Sequence, residues 1–359
     1  MNHINLKRYG LNDRFEQEAT LYAEMFLARV SEQQRDWYKV IGEHGEFLAS
    51  VSGKLLYAAD DTMDFPAVGD WVMVDRIDGN AGTAIIHHVL QRQSVFTRKS
   101  AGTSNTTQIV AANIDVVFIC MSLNADFNLR RLERYLAIAW DSLATPVIVL
   151  TKADLCDNLQ QRLVEIASIS PGTDIIVCSC LEENGYQSVN AYIAEGKTVA
   201  FIGSSGVGKS TLINRLLRQE VLVTKEIRDD DDRGRHATTH RQLLLLPNGG
   251  IVIDTPGMRE LQLYVGNLSK AFEDVAELAT QCKYKDCSHT AEPDCAVRSA
   301  IEAGELSEKR LENYLKLQRE LGYAGLDSRQ LEQEKINRMF GSKKEMKRAM
   351  RHAKNKNDR

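Results

Sequence analysis

Apolar positions along this chain change their period several times, and each change predicts a different kind of structure. Within residues 13–30, Phe15, Ala19, Tyr22 and Phe26 recur at steps of three and four, the spacing of one amphipathic helix. Between residues 36 and 96 the pattern becomes short β-rich runs, at 37–41, 47–51, 55–58, 71–74 and 83–90, broken by turn residues such as Asp78, Gly79 and Asn80. Five strands in so short a stretch predict a small barrel, and an OB-fold is the commonest five-stranded candidate. The helix before it reads as an appendage. The polar stretch 98–107, with Gly102 among several Ser and Thr, reads as a linker.

After residue 112 the strands become continuous apolar runs, at 115–121, 146–150, 175–178, 198–202 and 250–253, alternating with helical stretches. Unalternated Val/Ile runs are what a parallel sheet covered on both faces requires. Beyond residue 268 the chain reads as helical, with Leu311, Tyr314, Leu315 and Leu321 on one helix. The predicted organisation is therefore an N-terminal helical extension (1–34), an OB-fold barrel (35–97), a linker (98–111), an α/β domain (112–267), a helical domain (268–334) and a tail (335–359).

Composition adds the class. With 359 residues, 43% hydrophobic and 26% charged, the chain is an ordinary multidomain globular protein, large enough for buried cores without disulfide staples. Neither a signal-peptide stretch nor an apolar run of about 18 residues is present, which predicts a soluble, cytoplasmic protein with no membrane partner. In that compartment the seven Cys are expected to be buried, metal-bound or reactive. Charge is unevenly spread. Residues 335–359 hold ten Lys or Arg and two acids, so a tail of +8 sits on a body of −12 within a net charge of −4. Such asymmetry points to nucleic acid or an acidic membrane as partner.

The strongest chemical signal follows the run 198–202. Gly203, Ser204, Ser205, Gly206, Val207, Gly208, Lys209 and Ser210, with Thr211 opening a helical stretch, form strand, glycine-rich loop, Lys-Ser and helix in the order a phosphate-binding loop needs. The glycines let backbone N–H groups curl around phosphates, the helix N-terminus adds its dipole, Lys209 reaches the β- and γ-phosphates, and Ser210 offers a hydroxyl to Mg²⁺. Asp254, Thr255, Pro256 and Gly257 end the run 250–253: Asp254 can hold Mg²⁺ through water and the Gly257 N–H can sense the γ-phosphate. Run 146–150 ends in Thr151, Lys152, Ala153 and Asp154, where an aspartate can accept from guanine N1–H and N2–H₂ and a lysine stem can cover the ring. The matching run 175–178 ends in Ser179 and Cys180, suited to lie over a guanine, so GTP is favoured over ATP. In a Ras-like GTPase the phosphate loop precedes the base-reading loops. Here it follows them, which a circular permutation reconciles. Cys282, Cys287, His289 and Cys295 form C-x₄-C-x-H-x₅-C, a full tetrahedral donor set for one structural Zn²⁺. Cys120, Cys156, Cys178 and Cys180 read as packing.

With these motifs the chain resembles the RsgA (YjeQ) family of circularly permuted GTPases over nearly its whole length. The residues carrying the likeness are Leu6 to Gly10, Val68 to Val72, Ala112 to Asp115, the permuted motifs, Gly234 to His236 and the Cys/His cluster. The resemblance implies an N-terminal OB-fold, a central GTPase and a C-terminal zinc domain. It implies a late maturation factor of the small ribosomal subunit that hydrolyses GTP when bound to it and to its rRNA. The protein is expected to be monomeric. Two departures stand out: Thr151 replaces the usual Asn, whose amide braces the phosphate loop, and Ala237 replaces the first Thr of a His-Thr-Thr-Thr run. The Mg²⁺-sensing hydroxyl then falls to Thr238 or Thr239, with Thr239 favoured. Residues 224–240 are almost free of apolar side chains and are expected to order only around γ-phosphate and Mg²⁺. Asp229, Asp230, Asp231 and Asp232 either simply solvate this stretch or hold it away from a triphosphate. Met258 occupies the place of the water-orienting Gln, so hydrolysis by the free protein should be slow. His236 is the candidate for positioning water, or else docks on RNA. In the tail, Lys343, Lys347 and Arg351 share a helical face that rRNA phosphates would neutralise, unless the tail only solubilises. The rival functions are an RNA-binding module using GTP only as a conformational ligand, and a permuted GTPase of the large subunit.

Overall fold

The computed structural model describes residues 3–34, 37–79, 82–99, 107–182, 185–222, 241–254 and 267–323, with 330, 333 and 345 singly. Near the N-terminus, α1 (Asp13–Ala19) starts where the Asn12 side chain accepts from the Phe15 N–H. It stops there: the helix predicted over 13–30 is only half helix. Glu24 takes a left-handed φ of 66°, and from Phe26 the backbone becomes strand β1 (Phe26–Gln33), which finds partners on three other strands. Pairing across the fold overrides the local 3.6 period. Nor is α1 an appendage, because Phe15 is buried against Trp71, the ring centres 5.8 Å apart.

Strands β2 (Tyr38–Gly42), β3 (Gly45–Val51), β4 (Trp71–Val74) and β5 (Ala84–Val89) join β1 in the order β1-β2-β3-β5-β4, and β4 pairs back to β1. The result is a closed five-stranded barrel, as the pattern predicted, but its fifth strand is β1 and not 55–58. That stretch is helix α2 (Gly53–Ala58), because Ser52 caps it by accepting from the Leu55 N–H. Alternation on β1 sorts the barrel: Ala28 and Val30 point into the interior with Val40, Phe47, Val72 and Ile86, while Leu27 joins Phe15 and Trp71 on the side that α1 covers.

The predicted linker is also partly structure. Strands β6 (Val95–Lys99) and β7 (Thr107–Ala112) form an antiparallel pair that buries Phe96, Ile109 and Val110. An apolar residue on each strand gives the pair a place on the core that a polar linker would lack.

Next come β8 (Val116–Ser122), α3 (Leu129–Asp141), β9 (Thr145–Thr151), α4 (Leu159–Ala167), β10 (Asp174–Val177), α5 (Gln187–Asn190), β11 (Thr198–Ile202), α6 (Lys209–Leu217), β12 (Arg241–Leu245) and β13 (Ile251–Asp254). Their order across the sheet is β10-β9-β8-β11-β13-β12, parallel except for β12. Both faces are covered, as continuous apolar strands require. Phe118, Val199 and Phe201 pack with Leu212 and Leu216 of α6, whereas Val117, Ile119 and Ile202 pack with Leu132 and Leu136 of α3. The strand leading into the glycine-rich loop, β11, lies near the middle of the sheet between β8 and β13. Pairing of β12 with β1 then carries the sheet into the barrel.

Helices α7 (Leu268–Ala271), α8 (Glu273–Thr280), α9 (Ala296–Glu302) and α10 (Glu308–Tyr323) follow and share the core on the α3 side. Polar side chains fix this docking. Buried Arg310 on α10 reaches Glu133 of α3 at 2.7 Å and Asp274 of α8 at 2.6 and 2.7 Å, and Asn313 donates to the other Glu133 oxygen. Arg134 makes a two-bond pair with Glu320. Among the described residues no helix is long and apolar enough to cross a membrane.

Candidate functional site

Every described loop with a chemical signal in the central domain leaves the carboxyl end of a strand. In an α/β sheet this is the edge where ligands bind. From β11 the chain turns at Gly203, φ 145°, where a Cβ would meet the Cys120 carbonyl oxygen at 2.4 Å, so no side chain fits. Gly208, φ 98°, turns the loop back into α6. Lys209 is buried and donates Nζ to the carbonyls of Gly203 and Ser204, both at 2.6 Å. Its ammonium is therefore held inside the curl of the loop. Ser210 and Thr211 follow in the first turn of α6.

Thr151 ends β9, buried, and its hydroxyl donates to the Val207 carbonyl at 2.6 Å. The threonine at this position does hold the glycine-rich loop, with its single hydrogen. Lys152 takes a left-handed conformation, φ 57°, which swings the chain off the strand and into the short 3₁₀ turn Ala153–Leu155 that carries Asp154. Beyond β10, Ser179 Oγ donates to Asp154 Oδ1 at 2.7 Å. This bond joins the two predicted base-reading loops and fixes one carboxylate oxygen. Cys180 lies next to Ser179, half-buried. The Cys178 thiol donates to its sulfur, a bond that pushes Cys178 up and holds Cys180 below the ordinary thiol range. Cys120 is buried and its thiol is pushed up to about 12 by burial. Packing is the role the sequence suggested for it.

Asp254 is the last residue of β13, opposite Gln242. Gly257, Met258, Asp229 to Asp232, His236, Ala237, Thr238 and Thr239 lie outside the described residues, as do Lys343, Lys347 and Arg351.

Two residues that no motif announced also belong to this edge. Arg131, in the first turn of α3, donates Nη1 to Ser204 Oγ at 2.9 Å and to Asp126 Oδ2 at 2.8 Å. The only sequence signal was their position just past an apolar run, and its meaning depends on β8 being the neighbour of β11.

In the C-terminal helices Cys282, Cys287, His289 and Cys295 meet, their ligand atoms all within 4.8 Å of one another. Cys295 lies 3.5 Å from His289 Nδ1 and 3.9 Å from Cys282 Sγ. A tetrahedron with metal–sulfur bonds of about 2.3 Å has edges of about 3.8 Å, so three thiolates and an imidazole in this arrangement fit Zn²⁺. Burial disfavours the Cys282 thiolate, but hydrogen bonds from the N–H groups of Val297 and Ala296 at the start of α9, together with those from Cys295 and Cys287, hold the thiol below its ordinary range. Left-handed His289, φ 58°, and Asp294, φ 57°, turn the chain so that residues distant along it face inward.

Comparison with known proteins agrees with this architecture. Residues 89–264 match the family model described as RsgA GTPase. A relative from Lactiplantibacillus plantarum, named small ribosomal subunit biogenesis GTPase RsgA 2, is 55% identical over 345 residues, covering 96% of this chain and 97% of its own. One from Listeria innocua, named small ribosomal subunit biogenesis GTPase RsgA 1, is 45% identical over 320 residues, covering 89% and 90%. Among solved structures, YjeQ from Thermotoga maritima matches with a TM-score of 0.61 at 28% identity, covering 83% of this chain and 98% of that one. YloQ, described as a circularly permuted GTPase, matches in fold with a TM-score of 0.58 at 22% identity over 84% and 96%. A permuted sheet with its glycine-rich loop and the loops after β9 and β10 on one edge, a barrel before it and a Cys/His cluster after it, together with these relatives, makes the chain a member of the RsgA family of GTPases.

Proposed function

We propose that this chain is a cytoplasmic, monomeric GTP hydrolase that binds the small ribosomal subunit and its rRNA late in assembly, and that GTP hydrolysis times its release. The observation that carries the nucleotide part is the junction of the three loops, Thr151 to Val207 at 2.6 Å and Ser179 to Asp154 at 2.7 Å. The subunit is inferred from the names of the relatives. In this reading Gly203 to Thr211 cradle the phosphates, Lys209 turns its ammonium to the β- and γ-phosphates, and Thr151, Lys152, Asp154, Ser179 and Cys180 enclose the base. Ser210 and Thr239 would ligate Mg²⁺, with Asp254 beyond them. Bound there, the ion would neutralise charge developing on the transferred phosphoryl group.

His236, Thr239 and Gly257 are proposed to act at the γ-phosphate, with His236 orienting the attacking water in place of the side chain that Met258 cannot supply. The four residues of the Cys/His cluster would hold one structural Zn²⁺ with no open position for water. The basic tail is proposed to meet rRNA. The divisions at residues 97, 111, 267 and 334 are kept as the working domain map, and the first is moved from 34 to before Phe26 so that β1 belongs to the barrel.

The test is GTP hydrolysis by the purified protein alone and with saturating small or large subunits, with Ser210→Ala as control. Stimulation confined to the small subunit is expected. Nucleotide binding with no stimulation by either subunit would overturn the reading.

A further inference from the structure

Arg131 and Asp126, which meet on Ser204 of the phosphate loop, have no part in the functional reading above. The three side chains close a triangle. Arg131 Nη1 lies 2.9 Å from Ser204 Oγ and 2.8 Å from Asp126 Oδ2, and Ser204 Oγ donates to that same oxygen at 2.8 Å. The triangle is anchored outside the loop. Asn128 caps α3 by accepting from the Arg131 N–H, Asn124 accepts from the Asp126 N–H, and Ser122 at the end of β8 donates to Asn124 at 2.8 Å. Burial opposes the charge on Asp126, but hydrogen bonds from Arg131 and Ser204, together with the positive charges of Arg131 and Lys152, hold the carboxyl below its usual range. The bonds that Arg131 and Ser204 make to this carboxylate are charge-assisted, which are the stronger kind.

A glycine-rich loop has much conformational freedom to lose before it can wrap phosphates. Gly203, Gly206 and Gly208 all have positive φ, and one constraint on them from the base-reading side is the single Thr151 bond to Val207. An amide at position 151 has two N–H groups to give where the hydroxyl has one. We propose that Arg131, with Asp126, is a positioning residue of the phosphate loop: it holds Ser204 from the α3 side so that the loop is preformed for the phosphates, adding a second brace to the single bond from Thr151. The inference rests on the assignment of Gly203 to Ser210 as the phosphate site.

Release of N-methylanthraniloyl-GDP, followed by stopped flow, tests it in wild type, Arg131→Ala, Ser204→Ala, the double variant and Lys209→Ala, with thermal melting of each. Loss of one charge-assisted bond is expected to speed release about ten-fold in Arg131→Ala. Ser204→Ala, which cuts both arms of the triangle, is expected to be at least as fast. Arg131→Ala should add nothing in the Ser204→Ala background, because the guanidinium acts through that hydroxyl. A general loss of packing would lower the melting temperature and add in the double variant. Unaltered release in Ser204→Ala, or additive effects of the two changes, overturns the proposal. Lys209→Ala separates this failure from the other: if it still binds nucleotide as wild type does, the phosphate-site assignment itself is wrong.

Discussion

In the proposed reading Asp154 is the residue that chooses the base, and a bond from Ser179 leaves its side chain little freedom. Ser179 occupies Oδ1 at 2.7 Å and so sets the plane of the carboxylate. Two acceptors in that plane suit the N1–H and N2–H₂ of guanine. Asp154→Asn replaces one acceptor by a donor, which suits xanthine, where an oxygen stands in place of the amino group. The expected outcome is GTP binding weakened about 100-fold, with xanthosine triphosphate competing better than GTP, measured by displacement of a fluorescent nucleotide. At this scale the sequence was highly legible for contiguous motifs. Lys209, Thr151, Asp154 and Ser179 stand where strand-end motifs suggest, because a loop that must curl round phosphates or present an aspartate at a strand end uses adjacent residues. Arg131 was not legible. Its partner Ser204 is 73 residues away in sequence, and their meeting depends on which strands are neighbours.

Among the elements, errors fell where a short apolar run fits either period. Residues 55–58 look like a strand until Ser52 is seen to cap a helix, and residues 26–30 look like helix until β4 supplies a partner for their backbone. Long unalternated runs left no such ambiguity, and all five predicted strands of the α/β domain are present within a residue or two. The element with the most to carry is α3, which presents Arg131 to Ser204 of the glycine-rich loop and Arg130, Glu133 and Arg134 to α10. Arg310→Ala leaves Glu133 buried without its cation, and burial already pushes that carboxyl up. Loss of about 3–5 kcal/mol is expected, measured by urea denaturation. A variant as stable as wild type would mean that the apolar contacts of α10 alone dock the C-terminal helices.

For the whole molecule, Arg29 is the tie between parts. Fully buried on β1, it donates to the carbonyls of Tyr9, Gly69 and Asn113 and to Thr198 Oγ1 at the start of β11, so one guanidinium meets the N-terminal segment, the barrel and the central sheet. Burial lowers its pKa to about 10, which still leaves it charged at neutral pH. Arg29→Met strands several buried acceptors. It should destabilise by about 3 kcal/mol and lower the melting temperature of a transition shared by barrel and central domain, read by differential scanning calorimetry. Separate transitions for the two would count against the tie.

By itself the sequence determined the motifs and the class of each part: a glycine-rich loop ending in Lys-Ser, an aspartate at a strand end, a Cys/His cluster, a parallel sheet and a small barrel. Those features depend on local backbone geometry and on hydrophobic period, which are properties of short stretches of chain. Only the tertiary structure decided that β1 closes the barrel and also extends the central sheet, that α1 covers Trp71, that Arg131 of α3 bonds Ser204 of the glycine-rich loop, and that Arg310 locks the C-terminal helices to α3. Each of these joins residues far apart in the chain. What selects them is which buried polar group and which strand edge find a partner once the core has formed, and no window of sequence contains that choice.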